Sequence, residues 1–353
     1  MESNNDIMDL FKDWNWEPPE GWLNIKTIDL HTGGEPLRVF TGGLPEIKGI
    51  TILEKRRYFR DNLDYIRTGT MWEPRGHADM YGAVLTEPVT DDADFGTFFL
   101  HNEGYSTMCG HAIIALTKLV LDTGIIKKEG DSPELIIDAP PGKIRSRAFR
   151  ENGIVKRVSF LNVPSFLLMR DQVVNVEGIG DVLFDVAYGG AFYAFVDADR
   201  LGIGLGSASY NQLIDWGRKI KYAVMEKFEI RHPFEDDLSF LYGTIFTGRA
   251  EKRGHHSRNV CIFAEGEVDR SATGSGVSAR AALHHAKGEL AVNELITIES
   301  ILGSTMDVRV TAVTRYGEHE AVIPEVSGTA HIVGRMNFFF DPDDEFREGF
   351  IFR

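Results

Sequence analysis

Two short stretches of this chain read alike, and their likeness constrains the fold more than any other feature. Ser106-Thr107-Met108-Cys109-Gly110-His111-Ala112 leads into one run of small and apolar residues, and Asp269-Arg270-Ser271-Ala272-Thr273-Gly274-Ser275-Gly276 leads into another. Each places a thiol or hydroxyl side chain before a glycine. Each run is apolar along most of its length, which predicts a buried helix; the expected spans are Gly110–Leu121 and Gly274–Lys287. The offset, 273 − 109 = 164, is close to half of the 353 residues. Two similar lobes, each presenting a helix start to a shared cleft, satisfy this pattern.

The chemistry of such a cleft is specific. A helix start exposes unpaired N–H groups and a partial positive charge. Gly110 and Gly274 let a ligand approach the backbone closely. Two facing helix starts bind one carboxylate, and stabilise the charge that forms when a proton leaves the neighbouring carbon. A cysteine at a helix N-terminus is expected to have a lowered pKa, which would make Cys109 a thiolate base near neutrality. A buried core cysteine beside a helix-start glycine is the plainer reading of the same residues. The local sequence leaves both open.

The rest of the chain reads as short strands and turns. Leu23 to Leu30 alternates apolar and polar residues, as a half-buried strand does. Thr97–Leu100, Leu135–Asp138, Val155–Leu161, Ala191–Val196, Val260–Phe263, Met306–Val313 and Ala330–Val333 are further strands by the same reading. Gly33, Gly34 and Pro36 fit a tight turn into the strand Leu37–Phe40. A third, amphipathic helix is expected over Asn211–Phe228. Many strands with few helices predict an α+β fold. Gly202-Ile203-Gly204-Leu205-Gly206 lacks the third glycine of a dinucleotide turn, since Ser207 stands there. His31 and Glu35, and the pairs His255-His256 and His284-His285, make no metal-ligand pattern, so no metal is expected.

Composition narrows the function classes. Lys and Arg number 38 and Asp and Glu 53, a formal net charge of −15. That balance disfavours broad binding of nucleic acid or an anionic membrane. With two cysteines, Cys109 and Cys261, neither a disulfide scaffold nor a multi-cysteine zinc site is expected. Cys261, in the apolar run Val260–Phe263, reads as an inert core thiol. The acidic start carries no signal-peptide pattern, and no 18 apolar residues run together. A cytoplasmic protein with reduced thiols is the expectation. Leu10, Phe11, Trp14 and Trp16 are placed to pin the N-terminal arm to the body or to a neighbouring subunit.

Further stretches extend the pattern: Asp29-Leu30-His31-Thr32-Gly33-Gly34-Glu35-Pro36-Leu37-Arg38-Val39, Glu73-Pro74-Arg75-Gly76-His77-Ala78-Asp79-Met80-Tyr81-Gly82-Ala83 and Glu325-Val326-Ser327-Gly328-Thr329-Ala330. Together with Met108–Ala112 and Asp269–Gly276, these five separated blocks resemble the proline racemase family, a branch of the diaminopimelate-epimerase-like fold. The resemblance runs from about Asp29 to the C-terminus. It implies two pseudo-symmetric lobes, each a curved, mainly antiparallel sheet around a central helix, with the substrate between them. Residues 1–162 plus 336–353 would form the N-terminal lobe carrying Cys109, and residues 163–335 the C-terminal lobe carrying Thr273.

Racemases and epimerases of that family carry a cysteine on both helices, one to take the α-proton and one to return a proton to the opposite face. Here the second position is Thr273, whose alkoxide is not accessible near neutral pH. The Cys/Thr pair resembles a branch of the family that dehydrates trans-3-hydroxy-L-proline to pyrroline-2-carboxylate. Stereochemistry agrees: the α-hydrogen and the 3-hydroxyl of that isomer share one face of the ring, so one group can serve both. By the resemblance, Cys109 removes the α-proton and Cys109 or His111 protonates the leaving hydroxyl. Backbone N–H groups of Gly110, His111, Gly274 and Ser275 hold the carboxylate, and Asp269 and His111 hold the ring nitrogen. Asp269 also suits a helix N-cap, and His111 a satisfied core histidine. Thr273 contacts the ligand or fills the space of the missing thiol. His77 and Asp79 are candidates for closing the cleft, and Gly303–Met306 for lying near the substrate. No cofactor is expected. Partners reduce to a small molecule and, since two-fold pairs are the commonest oligomers, a second copy of the chain. The rival readings are a proline racemase or 4-hydroxyproline 2-epimerase, and a non-catalytic amino-acid binding protein.

Overall fold

The computed structural model describes residues 7–12 and 14–352. Its strands fall into two sets with the same pairing pattern. β1 (Leu23–Thr32) and β2 (Glu35–Gly42) form a hairpin, and β2 pairs in parallel with β3 (Tyr81–Thr86). β3 pairs antiparallel with β4 (Phe95–His101), which carries the short β5 (Gly104–Ser106) and pairs in parallel with β6 (Glu134–Ala139). A meander of β7 (Gly142–Glu151) and β8 (Ile154–Leu161) completes the set.

The second set begins with β9 (Ser165–Val176), then repeats the sequence of steps. β10 (Gly180–Tyr188) pairs antiparallel with β11 (Phe192–Asp197), which steps in parallel to β12 (Leu241–Gly248). β12 pairs antiparallel with β13 (Ser257–Phe263), which carries the short β14 (Glu267–Val268) and steps in parallel to β15 (Leu295–Glu299). β16 (Thr305–Tyr316) and β17 (His319–Gly328) follow as a meander. β18 (Ala330–Phe340) crosses back and pairs with β1, as β9 pairs with β10. The last strands of the two sets, β8 and β17, pair with each other from Leu161↔Glu325 to Val158↔Gly328. The expected lobe boundary at 335/336 falls inside β18, whose pairing with β1 runs unbroken in direction from Ala330 to Phe340.

Each set surrounds one helix. The Cys109 helix, Gly110–Asp122, packs on β1, β2, β7, β8 and β18; the Thr273 helix, Gly274–Ala286, packs on β9, β10, β11 and β16. Gly110 through Leu121 are all buried, including Ile114 and Leu116. Cutting either of those to alanine would cost about 2–5 kcal/mol. The result is an α+β fold of two lobes. Both central helices match the spans read from the sequence to within one residue at the C-terminal end.

The third expected helix is Tyr210–Lys227. Two helices that the apolar pattern did not mark, Ile52–Asn62 and Asp64–Met71, lie between β2 and β3. Ile52–Asn62 buries only Ile52, Arg56 and Phe59, too sparse a stripe to stand out among its charged residues. The glycine run 202–206 is a plain loop: Gly202 caps the short helix Ala198–Leu201 at φ 67°. In the N-terminal arm, Trp16 packs edge-on against Trp22 and Phe339. Phe11 and Trp14 stand exposed, and the Leu10 side chain lies outside the described residues. Among the described residues, no helix is long and apolar enough to cross a membrane.

Candidate active site

The two helix starts meet end to end. A Cβ placed on Gly110 would lie 2.6 Å from the Gly274 Cα, and one on Gly274 would lie 2.7 Å from the Gly110 Cα. Only glycine at both positions permits this approach, because any side chain would collide with backbone. The sequence places each glycine directly after Cys109 and Thr273, so the closeness brings those two residues to one place.

Around the contact is a small, nearly closed cavity, lined by Cys109, Gly110, His111, Asp269, Thr273, Gly274 and Ser275. All seven residues singled out in the sequence therefore share one site. Its remaining wall is Tyr81, Met108, Tyr193, Tyr242, Cys261 and Phe263. Sequence reasoning did not assign these six. Tyr81 lay in a quoted block without a role, and Tyr193 and Tyr242 look like ordinary strand aromatics. Cys261, which reads from sequence as an inert core thiol, is buried as expected but also lines the cavity, because its strand β13 runs beside the Thr273 helix start.

Cys109 is the N-cap of its helix, in an extended conformation at φ −140° and ψ 103°. Its Sγ accepts the Ala112 N–H at 3.3 Å and lies 3.1 Å from His111 Nδ1. Burial pushes the Cys109 thiol well up, and the nearby Asp269 adds to the rise, against the lowering by the Ala112 N–H. This reverses the expected thiolate. Helix-start polarity lowers a thiol pKa where water still reaches the sulfur; here Cys109 is 4 % exposed and desolvation wins. Burial likewise pushes the His111 imidazole down, partly countered by Asp269 and the Pro36 carbonyl, so the ring is neutral around pH 7.

Asp269 does not cap the Thr273 helix. Its Oδ1 accepts the Ser271 N–H at 2.7 Å, within the turn that leads to the helix. Ser275 Oγ is bonded to the Tyr193 hydroxyl at 2.7 Å. Tyr81 is hydrogen-bonded through its hydroxyl to Ser106 Oγ and packs edge-on against the His111 ring at 4.8 Å.

Buried polar contacts tie the lobes together beside the cavity. The tight turn Gly33-Gly34, with φ 61° and 96°, delivers Glu35, whose Oε2 accepts the Arg270 N–H at 2.6 Å. Burial raises the Glu35 carboxyl well above its usual range, and the neighbouring Asp269 raises it further. Arg270 pairs with Asp79 at 2.6 Å, and Tyr210 donates to Asp79 at 3.0 Å. Of the two residues expected to close the cleft, Asp79 thus spans the lobes while His77 sits at the surface against Ala78. Ser304, expected near the substrate, instead donates to the Gly33 carbonyl at 2.7 Å. Among the described residues no cluster of His, Cys, Asp or Glu could hold a metal ion.

Comparison with known proteins agrees with this geometry. Residues 27–351 match the proline racemase family. A trans-3-hydroxy-L-proline dehydratase of Colwellia psychrerythraea is 51% identical over 96% of this chain and 96% of its own. The trans-3-hydroxy-L-proline dehydratase of Homo sapiens is 44% identical over 93% of this chain and 95% of its own. Among solved structures, a hydroxyproline epimerase from Agrobacterium vitis with bound trans-4-hydroxy-L-proline superposes with a TM-score of 0.89 at 27% identity, covering 94% of this chain and 96% of that one. The chain belongs to the proline racemase family.

Proposed function

We propose that this protein is a hydro-lyase that dehydrates trans-3-hydroxy-L-proline to pyrroline-2-carboxylate. The observation that carries the reading is the pairing of Cys109 with Thr273 at two apposed helix starts, a thiol at one and a hydroxyl at the other. The names of relatives at 44–51% identity over nearly the whole chain support it.

The substrate carboxylate sits on the N–H groups of Gly110, His111, Gly274 and Ser275, where two helix dipoles converge. Asp269 and His111 hold the ring nitrogen and set the face presented to Cys109. As the thiolate, Cys109 takes the α-proton. The C–H electron pair becomes the new double bond as the C3–O bond breaks, and the departing oxygen leaves as water with the proton that Cys109 took, delivered on the same face by Cys109 itself or relayed through His111. The helix starts offset the charge that builds on the carboxylate during proton removal. Thr273 fills the opposite face without a usable proton. A division at 162/163 and near 329, with all of β18 in the first lobe, places one helix in each lobe and the substrate between them.

The presence of Cys261 in the cavity wall supports one second reading, an isomerase in which that thiol serves the Thr273 side. Burial holds the Cys261 pKa well up as well, which disfavours it as a base but not as a donor. Incubation with trans-3-hydroxy-L-proline, following pyrroline-2-carboxylate, tests the first reading; no product would refute it. Incubation of trans-4-hydroxy-L-proline in deuterium oxide tests the second, because inversion at the α-carbon requires a proton from the far face.

A further inference from the structure

The cavity contains a hydroxyl that the mechanism above does not use. Tyr242 lies at the start of β12, is 6 % exposed, and lines the cavity. Its ring is fixed by stacking on Phe263 at 5.4 Å and by edge contacts with Tyr193 at 5.8 Å and His101 at 5.9 Å. Its hydroxyl is buried and makes no well-formed hydrogen bond; the Tyr81 hydroxyl, already bonded to Ser106, lies near it. The contrast with its neighbours is informative: the Tyr193 hydroxyl is bonded to Ser275, and that of Tyr81 to Ser106. A buried, unpaired hydroxyl is destabilising, and a rigid ring cannot swing it to water. A phenylalanine would fill the same space without that cost. The phenol also keeps its proton, since burial drives its pKa well up and the neighbouring Glu267 adds to the rise, against the lowering by the Tyr81 hydroxyl.

We propose that Tyr242 recognises the 3-hydroxyl of the substrate, donating a hydrogen bond to the oxygen that leaves. This deepens the dehydratase reading and rests on it. A neutral donor facing the C3 oxygen orients the C3–O bond and strengthens its contact as negative charge collects on that oxygen. Tyr242 keeps its proton throughout; the proton that completes the water is the one Cys109 took from the α-carbon, returned directly or relayed through the His111 ring, so the thiolate is regenerated and the reaction balances. A site built to pair a substrate hydroxyl discriminates strongly against analogues that lack it, because the site's own group is then left unpaired.

The experiment compares Tyr242→Phe with the native protein on two ligands. One is trans-3-hydroxy-L-proline, assayed for pyrroline-2-carboxylate. The other is pyrrole-2-carboxylate, a flat ring carboxylate with no 3-hydroxyl, whose binding is measured by calorimetry. The expected result is a roughly 10- to 100-fold loss in kcat/KM, with pyrrole-2-carboxylate affinity unchanged within about twofold because it makes no use of the hydroxyl. The thermal midpoint without ligand should stay level or rise, since the hydroxyl has no well-formed hydrogen bond to lose. Unchanged kcat/KM would overturn the proposal. So would an equal loss in kcat/KM and in pyrrole-2-carboxylate affinity, or a fall in the midpoint, since those mark a structural role. A native protein that binds pyrrole-2-carboxylate but makes no pyrroline-2-carboxylate would instead overturn the dehydratase reading itself.

Discussion

Cys109 and Thr273 stand at matching places in the two lobes, yet the backbone holds them differently. Cys109 is extended and caps its own helix through sulfur. Thr273 has φ 66° and ψ 89°, makes no side-chain cap, and keeps a buried hydroxyl with no well-formed hydrogen bond, near the Cys261 thiol. A β-branched residue with positive φ is strained by about 1–3 kcal/mol. It is held there from both sides: the Thr273 N–H donates to Ser271 Oγ, the Thr273 carbonyl accepts from Val277, and the Ala272 carbonyl accepts from Asn259. One half of the site therefore has a capped, reactive thiol in a relaxed backbone. The other half has a strained backbone carrying a hydroxyl that is neither cap nor base. Under the proposed mechanism the two helix starts share the substrate carboxylate, while Cys109 alone of this matched pair transfers protons.

The largest expected effect breaks the comparison on its reactive side. Cys109→Ala removes the base while leaving Gly110, Gly274 and their N–H groups in place. Dehydration should fall by about 10³-fold or more, with pyrrole-2-carboxylate still bound. A variant that retained a tenth of native activity would show that some other group takes the α-proton.

Next in size is the contact between the halves. Gly110→Ala puts a methyl group within 2.6 Å of the Gly274 Cα, so the helix starts must separate. The expected cost is about 1–3 kcal/mol of stability, read by denaturant unfolding, together with weakened pyrrole-2-carboxylate binding. Native stability in this variant would mean that the glycines are not in the close contact described.

The echo at offset 164 exposed the central helices with Cys109, Gly110, Thr273 and Gly274, because helix starts and glycines are local features; the roles of His111, Asp269 and Ser275 came only through the family resemblance. The protonation of Cys109 was not legible, since it depends on how completely Tyr81, Tyr242 and Phe263 exclude water, and those come from other strands. The cavity position of Cys261 was hidden for the same reason: β13 looks like any buried strand until its neighbour is known. The passage from β17 to β18 has no mark in the sequence, because Gly328-Thr329-Ala330 carries no polar loop signal and the strands follow almost without interruption. The helices between β2 and β3 were missed because their buried stripe is too sparse to mark.

A smaller effect distinguishes burial from helix-start polarity at Cys109. The base is the deprotonated form, so kcat/KM must rise with pH until the thiolate is complete. With the folded thiol pushed above its ordinary value of about 8.5, the rise should continue at close to tenfold per unit through pH 7 to 8. His111, pushed down by burial, is already neutral there and adds no opposing limb. A profile flat from pH 6 to 8 would mean that the helix start outweighs desolvation and that the thiolate preexists.

The smallest effect concerns the strained half and separates conformation from chemistry. Thr273→Gly relieves the positive φ but loosens the unfolded chain, which costs about 0.5–1 kcal/mol. The two terms oppose, so denaturant unfolding should show a net change within about 1 kcal/mol, on the stabilising side if the strain is real. A loss of more than about 2 kcal/mol would mean that Thr273 is held by packing of its methyl group, which lies near Gly276. Thr273→Cys keeps the side-chain volume close and restores a thiol to the far face. It should then invert trans-4-hydroxy-L-proline at the α-carbon at a measurable rate in deuterium oxide, while the native protein does not. If the cysteine variant exchanges the α-hydrogen without inversion, the strained backbone, and not the missing thiol alone, keeps this half of the site from proton transfer.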